Sequence, residues 1–318
     1  MKKIVSLIVP CYNEHETIDI YYNEAIKHIT NPNYDFKIIF VNDGSKDNSL
    51  ELMKALANKD KRVFYVSFSR NFGKEAAMYA GLEAAKKLNS DAAIIMDVDL
   101  QDPPYLIPEL IKEYEAGYNL IYTKHKDRNG AKKSSTFFAL MFYKVYSYFT
   151  GDKELSGGAR DYCLLDRKVI DAFLMIKDDK RFTKGIYHYV GFNKKCIEFE
   201  YEKRIAGTTK WGFRKLLKYA MIGIQEFSYF YLIIPKLVGW FLAILLTYDI
   251  VRQTINAVSA SSYDAFNWLP IRIDLIALLI VIILYYIFRL LYDVRNQARN
   301  RPIYIEDESN IGEANEAE

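Results

Sequence analysis

Three carboxylates and a carboxamide are crowded into residues 97–102, directly after the apolar run 92–96. Like charges this close repel one another unless a cation lies among them. Carboxylate and amide oxygens are the ligands that Mg²⁺ and Mn²⁺ prefer in proteins. The segment therefore predicts a site for Mg²⁺ or Mn²⁺. Its expected ligands are Asp97, Asp99 and Gln101.

A second interpretation of this acidic segment needs no metal. Asp102 precedes Pro103 and Pro104, and an acid followed by proline is common at the first turn of a helix. The segment would then be a solvated turn that caps the next helix. We expect Asp102 to have this capping role, while the other acids form the site.

Three further polar segments, 10–14, 42–45 and 69–74, each follow a predicted strand. Ligands of parallel sheets bind beyond the carboxyl ends of the strands, so these segments should lie near residues 97–102. A planar base could stack on Tyr12 and present its N–H to Asp43, and glycine with cations in 69–74 suits a diphosphate. Base, diphosphate and metal sites together describe a nucleotide diphosphate. The predicted donor-binding residues are Pro10, Tyr12, Glu14, Asp43, Gly73, Lys74 and Asp97.

Short β-rich runs alternate with helical patterns over the first 125 residues, which is typical of an α/β fold with a parallel sheet. The predicted strands are 4–9, 37–41, 63–67, 92–96 and 120–123, and the predicted helices are 16–29, 49–58, 74–87 and 104–116. The pattern is less regular afterwards. There we expect a helix at 135–148, a glycine-rich turn at 156–158, and strands at 162–165 and 196–201.

The charge of the chain is unevenly distributed. The net charge is +3, yet residues 306–318 hold six acids and no bases, so the rest of the chain is distinctly basic. A basic surplus suits phosphorylated substrates or anionic lipid. Binding to nucleic acid is the weakest possibility, because the sequence has no basic stripe interleaved with aromatic residues. We expect the acidic tail to be disordered from residue 306. Three cysteines without metal-ligand spacing indicate buried thiols in a reducing compartment.

The apolar residues concentrate after residue 219. Helical spacing of apolar residues with lysine and arginine off the stripe predicts an amphipathic helix at 213–224, lying on a bilayer surface. Two uncharged runs follow, 237–248 and 275–288. Basic residues cluster outside these runs and are sparse between them, which places both outer flanks on the cytosolic side. We therefore predict two membrane-spanning helices, at about 230–251 and 271–292, with a packed helical hairpin as the alternative.

These patterns divide the chain into four parts. Residues 1–211 form the predicted catalytic domain, 212–227 the interfacial helix, 228–292 the two spans with a short non-cytosolic loop, and 293–318 a cytosolic tail. The predicted location is the cell membrane, with the catalytic domain in the cytosol.

Taken together, the strand-end segments resemble the family 2 glycosyltransferases of GT-A fold, with a mostly parallel sheet flanked by helices. The stretches that carry this resemblance are 9–14, 42–45, 70–74 and 97–104. Within that family the chain is most similar to the polyprenyl-phosphate glycosyltransferases. The closer match rests on three more stretches, which are 158–167, 181–185 and 204–211. The C-terminal segments and residues 301–305 also fit it. The resemblance spans about residues 4–305.

The resemblance implies an inverting transfer of glucose or N-acetylglucosamine from a UDP-sugar to polyprenyl (undecaprenyl) phosphate. Asp161 matches the catalytic carboxylate of the family, as a base or as an orienting group, and Asp99 serves catalysis through the metal. The expected cations for the acceptor phosphate are Arg204, Lys210, Lys184 and Arg160. Arg160 could instead be the partner of the adjacent Asp161. Lys184 stands where the family usually has arginine, and Thr209 where it usually has serine.

Several alternatives stay open at this point. A mannose synthase that uses GDP-mannose and a polyprenyl phosphate would share most of these motifs. A non-catalytic membrane scaffold would require the motifs to have decayed. A processive polysaccharide synthase would carry a Gln-x-x-Arg-Trp motif, which this chain lacks. The sequence does not distinguish a monomer from a homo-oligomer, nor identify a flippase or small membrane partner.

Overall fold

The computed structural model describes residues 2–126, 159–178, 181–200 and 269–298. It also describes residues 303–304 and 306–311 and a few single positions between 237 and 255. Three predicted features, the helices at 135–148 and 213–224 and the turn at 156–158, lie outside these residues. So does nearly all of the first predicted membrane segment.

An eight-stranded mixed sheet forms the centre of the described catalytic part, in the order β7-β5-β6-β4-β1-β2-β3-β8. Strands β1 to β4 are mutually parallel, as are β5 and β7, whereas β6 and β8 run antiparallel to their neighbours. The strands are β1 (Lys3–Cys11), β2 (Tyr34–Asn42), β3 (Val63–Phe68), β4 (Ala92–Ile95), β5 (Leu120–His125), β6 (Ala159–Asp166), β7 (Lys194–Phe199) and β8 (Glu306–Ser309).

Helices connect the strands, as the alternating pattern predicted. Those that follow the first strands are α1 (Ile18–His28), α2 (Ser49–Lys59), α3 (Lys74–Lys87) and α4 (Ile107–Glu115), the last preceded by a 3₁₀ turn (Pro104–Leu106). Two more are α5 (Arg167–Met175) and α6 (Thr183–Tyr189). Alanine-rich α3 is buried on most of its surface and packs closely on β1. A Cβ atom at Gly81 would lie 2.2 Å from Ile8 Cγ2, so only glycine fits there.

The prediction of an α/β fold with a mostly parallel sheet is confirmed. The five strands and four helices predicted in the first 125 residues are present at nearly the predicted positions. One feature of the topology was not expected: β6 lies between β4 and β5 and runs antiparallel to both. Residues 162–165 of β6 are wholly buried. A short run of this kind is typical of any central strand, and it does not indicate whether the strand is parallel or antiparallel to its neighbours.

The prediction of a disordered tail from residue 306 is wrong for residues 306–311. Glu306–Ser309 pairs as β8 with the edge strand β3. The Asn310 side chain accepts the Tyr65 N–H at 2.7 Å and donates to Val63 O at 3.3 Å. Glu308 forms an ion pair of 2.6 Å with Lys54. The backbone N–H and C=O groups at the edge of β3, together with Lys54, thus stabilise a segment whose acidic composition predicted disorder.

The chain divides into two compact units, residues 1–223 with 302–318, and residues 224–301. The second unit contains α7 (Leu269–Ala298), a thirty-residue helix that carries many exposed apolar side chains. Among the residues that the structure describes, no helix is both long enough and apolar enough to cross a membrane. The prediction of two spanning helices is therefore not confirmed.

Candidate active site

The register of the sheet explains how the candidate site is assembled. Ile95 in β4 pairs with Cys163 in antiparallel β6. Continuing two residues past Ile95 and two residues before Cys163 brings Asp97 and Asp161 to the same edge of the sheet. The carboxyl ends of β1, β2 and β3 reach this edge as well, since these strands are parallel to β4. Residues separated by 64 positions in the sequence thereby become neighbours.

Lys74 joins the two carboxylates at this edge. Its ammonium group lies 2.7 Å from Asp97 Oδ1 and 2.9 Å from Asp161 Oδ2. Burial by itself would lower the pKa of the lysine, but the two carboxylates outweigh it and hold the pKa above its ordinary value. Lys74 is therefore a fixed cation shared by both carboxylates. The sequence predicted a diphosphate contact for this residue and did not reveal its carboxylate partners.

Asp161 is held as a carboxylate. Burial tends to raise its pKa, yet the charges of Lys74, Lys184 and Arg160 together lower the pKa well below its usual range. Its Oδ2 accepts the bond from Lys74, whereas its Oδ1 is buried and has no hydrogen-bond partner among the described residues. A buried carboxylate oxygen without a donor is costly, so this atom is a natural place for a bound group to interact.

The segment after β4 is a closed loop, and Asp102 closes it. Asp102 Oδ2 accepts the Asp97 N–H at 3.0 Å, and Asp102 Oδ1 accepts from Arg160 Nε at 2.7 Å. Asp102 is 1% exposed, and burial raises its pKa to about 6 even though the Arg160 charge opposes this. Gln101 donates its N–H to Asp99 Oδ1 at 3.1 Å, and Leu100 has a left-handed backbone with φ of 59°.

Two predictions about this loop are corrected. Asp102 does not cap the following helix, because the 3₁₀ turn after Pro103 has no side-chain cap and both Asp102 oxygens are engaged elsewhere. Arg160 is not the partner of Asp161, which pairs with Lys74. Its guanidinium instead bonds Asp102 and lies 2.9 Å from His125 Nε2. Neighbouring residues of a strand point to opposite faces, which separates Arg160 from Asp161.

The donor set fits a hard divalent cation in its chemistry. Asp97 and Asp99 offer carboxylates and Gln101 a carboxamide, all from one short loop. The described residues contain no group of three His, Cys, Asp or Glu side chains that could hold a metal by themselves. Lys74 occupies Asp97 Oδ1 in this arrangement. A cation held here would thus need further oxygen ligands from a bound molecule. Mg²⁺ in proteins is commonly bound by one or two carboxylates together with phosphate oxygens of the substrate.

Asp43 holds the loop that follows β3. Its carboxylate accepts the N–H groups of Phe72 at 2.6 Å and Gly73 at 3.0 Å, and the side-chain amide of Asn71 at 2.8 Å. Burial raises the pKa of Asp43 to about 6, against the opposing effect of the two N–H donors. The sequence predicted that this carboxylate faces a nucleotide base. In the structure most of its acceptor capacity is used to position residues 71–73.

The loops after β1 and β2 are tied together in the same way. The Asn13 N–H donates to Ser45 Oγ at 2.9 Å, and Asn13 Oδ1 accepts the Lys46 N–H at 2.8 Å. Pro10 lies inside β1, opposite Val41. Tyr12 and Glu14, the two other donor-binding residues predicted in this region, follow β1. Tyr12 is half-buried, and the Glu14 carboxylate accepts the Thr17 hydroxyl at 3.1 Å.

The predicted acceptor cations are only partly described. Arg204 and Lys210 lie outside the described residues. Lys184 lies in α6, and its charge helps to lower the pKa of Asp161. Arg160 is half-buried and pairs with Asp102, so its charge is already compensated within the protein.

One feature of this region was missed at the sequence level. The Glu75 carboxylate accepts the Thr183 backbone N–H at 3.2 Å and also the Thr183 hydroxyl. Glu75 follows Lys74 directly, at the first turn of α3, where an acid is ordinarily explained by the helix dipole alone. The local sequence pattern does not predict its contact with Thr183, which lies 108 positions away in the chain.

Comparison with protein families and curated proteins gives a consistent result. The family described as Glycosyl transferase family 2 matches residues 6–174. "Putative glycosyltransferase CsbB" of Bacillus subtilis (strain 168) is 35% identical over 313 residues, or 97% of this chain and 92% of that protein. "Prophage bactoprenol glucosyl transferase homolog" of Escherichia coli (strain K12) is 39% identical over 237 residues, or 74% of this chain and 76% of that protein.

Solved structures include more distant similarities. Glucosyl-3-phosphoglycerate synthase from Mycobacterium tuberculosis, in complex with UDP, has a TM-score of 0.47 and 15% identity. The match covers 70% of this chain and 79% of that chain. At this distance the similarity gives no information on substrate.

Proposed function

The chain belongs to glycosyl transferase family 2, and on that premise we propose that it moves a hexose from a UDP-sugar to polyprenyl phosphate. Relatives named bactoprenol glucosyl transferase are 37% and 39% identical to it over about three quarters of the chain. They support a hexosyltransferase that uses a polyprenyl phosphate such as undecaprenyl phosphate. The proposed sugar is glucose or N-acetylglucosamine.

One observation carries this proposal beyond family membership. Lys74 bonds both the first acid of the loop 97–102 and the carboxylate of Asp161. The residues expected to bind the donor diphosphate and the residue expected to act at the sugar therefore meet at one point. Asp161 Oδ1, buried and without a donor from the described part of the chain, adds an acceptor at the same place.

On the donor side, Asp97, Asp99 and Gln101 are the proposed holders of Mg²⁺ or Mn²⁺. A bound divalent ion would supply positive charge to the departing diphosphate. Lys74 brings a second, permanent positive charge to this end of the site. The N–H groups of Phe72 and Gly73 are already used by Asp43, so this loop contributes to the site through its shape and through Arg70.

On the acceptor side, the nucleophile is a phosphate oxygen, which is already anionic near neutral pH. A strong general base is therefore unnecessary, and the low pKa of Asp161 makes it a weak one. We assign Asp161 an orienting role toward the sugar and the incoming phosphate. Two anions must approach each other during transfer, so nearby cations are required. The proposed cations are Lys184, Arg204 and Lys210.

Attachment to a membrane is part of the proposal, because a polyprenyl tail resides in lipid. Strands β7 and β8 belong to one sheet, so the chain lies on the same side of any membrane at residue 199 and at residue 306. Any crossings between these positions must therefore be even in number. Two crossings at about 230–251 and 271–292, with the catalytic unit in the cytosol, satisfy this condition. Exposed apolar residues of α7 are consistent with lipid contact.

The transfer itself is tested with radiolabelled UDP-glucose, UDP-N-acetylglucosamine and GDP-mannose, each offered with undecaprenyl phosphate. We expect lipid-linked product from one UDP-sugar, and at least a hundredfold less with Asp99→Ala or Asp161→Asn. Product from GDP-mannose alone would favour the mannose synthase. No product from any donor, together with no thermal stabilisation by a nucleotide sugar, would favour the scaffold.

Membrane topology is tested with an impermeant thiol reagent on intact cells. A cysteine introduced by Ser259→Cys lies between the two proposed crossings and should be labelled from outside. The control Lys59→Cys, on the exposed surface of the catalytic unit, should be labelled only after lysis. Protection of both positions in intact cells would exclude the two-crossing arrangement.

A further inference from the structure

Two consecutive residues at the start of α3 contact two different parts of the site. Consecutive side chains of a helix diverge by about 100° around its axis. Lys74 therefore reaches Asp97 and Asp161, whereas Glu75 reaches Thr183. The same helical turn thus connects the donor loop, the catalytic carboxylate and the start of α6.

Thr183 is the first residue of α6 and is fully buried. The first N–H groups of a helix have no partner within the helix and need one from outside. Glu75 supplies it: the Thr183 N–H lies 3.2 Å from Glu75 Oε2 and 3.4 Å from Oε1. The Thr183 hydroxyl donates to the same carboxylate. A charged acceptor with two donors from one residue fixes where α6 begins.

Lys184 follows Thr183 directly, so its position depends on this start. The positive charge of Lys184 acts on Asp161 and is second to that of Lys74 in lowering the pKa of Asp161. The charge of Lys184 thus acts at the carboxylate where donor and acceptor should meet. A small shift of α6 would change the distance between them.

A buried arginine shares this environment. Arg181 is 4% exposed, and its guanidinium lies over the rings of Tyr79 and Phe173, at 4.6 and 4.7 Å from their centroids. Its Nη1 donates to Ile176 O, whereas its Nε and Nη2 find no hydrogen-bond partner among the described residues. Burial lowers the pKa of Arg181, and the negative charge of Glu75 opposes part of this lowering. Glu75 therefore affects stability as well as position.

We propose that Glu75 is a positioning residue: through Thr183 it sets the start of α6, and thereby holds Lys184 where the acceptor phosphate binds. The inference rests on the proposed function, since it assigns the acceptor side of that reaction. Glu75 is expected to touch neither sugar nor phosphate. Its removal should weaken acceptor binding and leave donor binding almost unchanged.

The test measures kcat and the KM of each substrate for Glu75→Gln and Thr183→Val. Glutamine keeps an acceptor oxygen but loses the charge, and valine removes the hydroxyl at similar size. We expect the KM for undecaprenyl phosphate to rise about tenfold in each variant, the loss of roughly one charge-assisted hydrogen bond. The KM for the UDP-sugar should stay within about twofold of wild type.

Three further variants separate positioning from general damage. Thr183→Ser keeps the hydroxyl and should restore the acceptor KM. Glu83→Gln makes the same change on the same helix, at a side chain that accepts from Tyr304, and should leave both KM values unchanged. Thr183→Val leaves the Glu75 charge beside Arg181 in place, so it reports on position even if Glu75→Gln weakens folding.

A double-variant cycle tests the route of the effect. If Glu75 acts through Lys184, then Glu75→Gln adds almost nothing to the acceptor KM of Lys184→Gln. Additive effects, or equal changes in both KM values, would overturn the inference while wild-type transfer leaves the proposed function standing. If wild-type protein transfers no sugar to a polyprenyl phosphate, the proposed function fails, and this inference fails with it.

Discussion

At the scale of single residues, one lysine connects the two halves of the candidate site. Lys74 forms ion pairs with both Asp97 and Asp161, two like charges that would otherwise repel each other in a partly enclosed space. Breaking such a pair from one side costs far more than the pair contributes, because a charge is left uncompensated. The lysine is therefore a sensitive point for activity.

Replacement of Lys74 by alanine should reduce transfer severely. We expect kcat/KM to fall at least a hundredfold, since positive charge beside the diphosphate is lost and Asp161 loses its partner. Lys74→Arg should retain part of the activity because the charge remains. Steady-state transfer kinetics measure both, with the exposed Lys59→Ala as control. Wild-type kinetics in Lys74→Ala would refute the assigned role.

Asp43 gives a pH-dependent stability whose sign follows from its raised pKa. The folded protein holds this proton up to about pH 6, whereas an unfolded aspartate releases it near pH 4. Between these values the folded state binds more protons, so the contribution of Asp43 to stability declines as pH rises.

The comparison uses Asp43→Asn, which cannot titrate. Melting temperatures of both proteins, measured from pH 4.5 to 8, should show wild type losing stability relative to the variant up to about pH 6. Above that pH the difference should be constant. A difference that moved in wild type's favour with rising pH would contradict the raised pKa.

At the scale of elements, the site depends on loops that touch each other rather than on the strands alone. The turn after β2 packs directly on the segment after β3. A Cβ atom at Gly44 would lie 2.3 Å from the Arg70 carbonyl carbon and 2.6 Å from the Asn71 nitrogen. Gly44 also has a φ of 63°, a conformation that side chains disfavour. Backbone atoms on both sides leave no room for adjustment.

Gly44→Ala should therefore destabilise the protein by about 2 kcal/mol or more, from backbone strain and the clash combined. Gly117→Ala is the matched control, because Gly117 also has a positive φ of 95° but no atom near a built Cβ. Chemical denaturation of both variants separates the clash from the strain. Equal losses would show that the contact with residues 70–71 yields easily.

The elements show where sequence patterns were sufficient. The period-2 and helical patterns of the first 125 residues identified the strands and helices, and the strand-end rule identified the loops that form the site. The partners of Asp43, Asp102 and Arg160 were not accessible in this way. The Asp43 and Arg160 carboxylate contacts each join two different elements, and the register between elements decides which side chains meet.

At the scale of the whole molecule, the C-terminal segment returns to the catalytic sheet. Tyr304 stacks on Phe68 with ring centroids 4.7 Å apart, and its hydroxyl donates to Glu83 at 2.8 Å. Strand β8 then covers the edge of β3. Strands β7 and β8 thereby hold residues 199 and 306 in one sheet, which is the basis for the even number of proposed membrane crossings.

Asn310 is the residue through which this return is best tested. Its side chain bonds one N–H and one carbonyl of β3, so Asn310→Ala should lower the free energy of unfolding by about 1–2 kcal/mol. Ser309→Ala is the control, since the Ser309 hydroxyl bonds the exposed Glu306 side chain. Thermal unfolding measures both. Equal melting temperatures for the two variants would show that β8 contributes little.

The sequence by itself determined the residue types of the site, their positions at strand ends, the α/β order and the resemblance to one family. These depend on short-range patterns, in which each residue is judged with its near neighbours. Only the tertiary structure decided that β6 enters antiparallel beside β4, that Lys74 lies between Asp97 and Asp161, that Asp43 holds the neighbouring loop, and that residues 306–309 of the acidic tail form a strand. Such contacts join residues far apart in the chain, and the pairing of strands and the burial of charge select them.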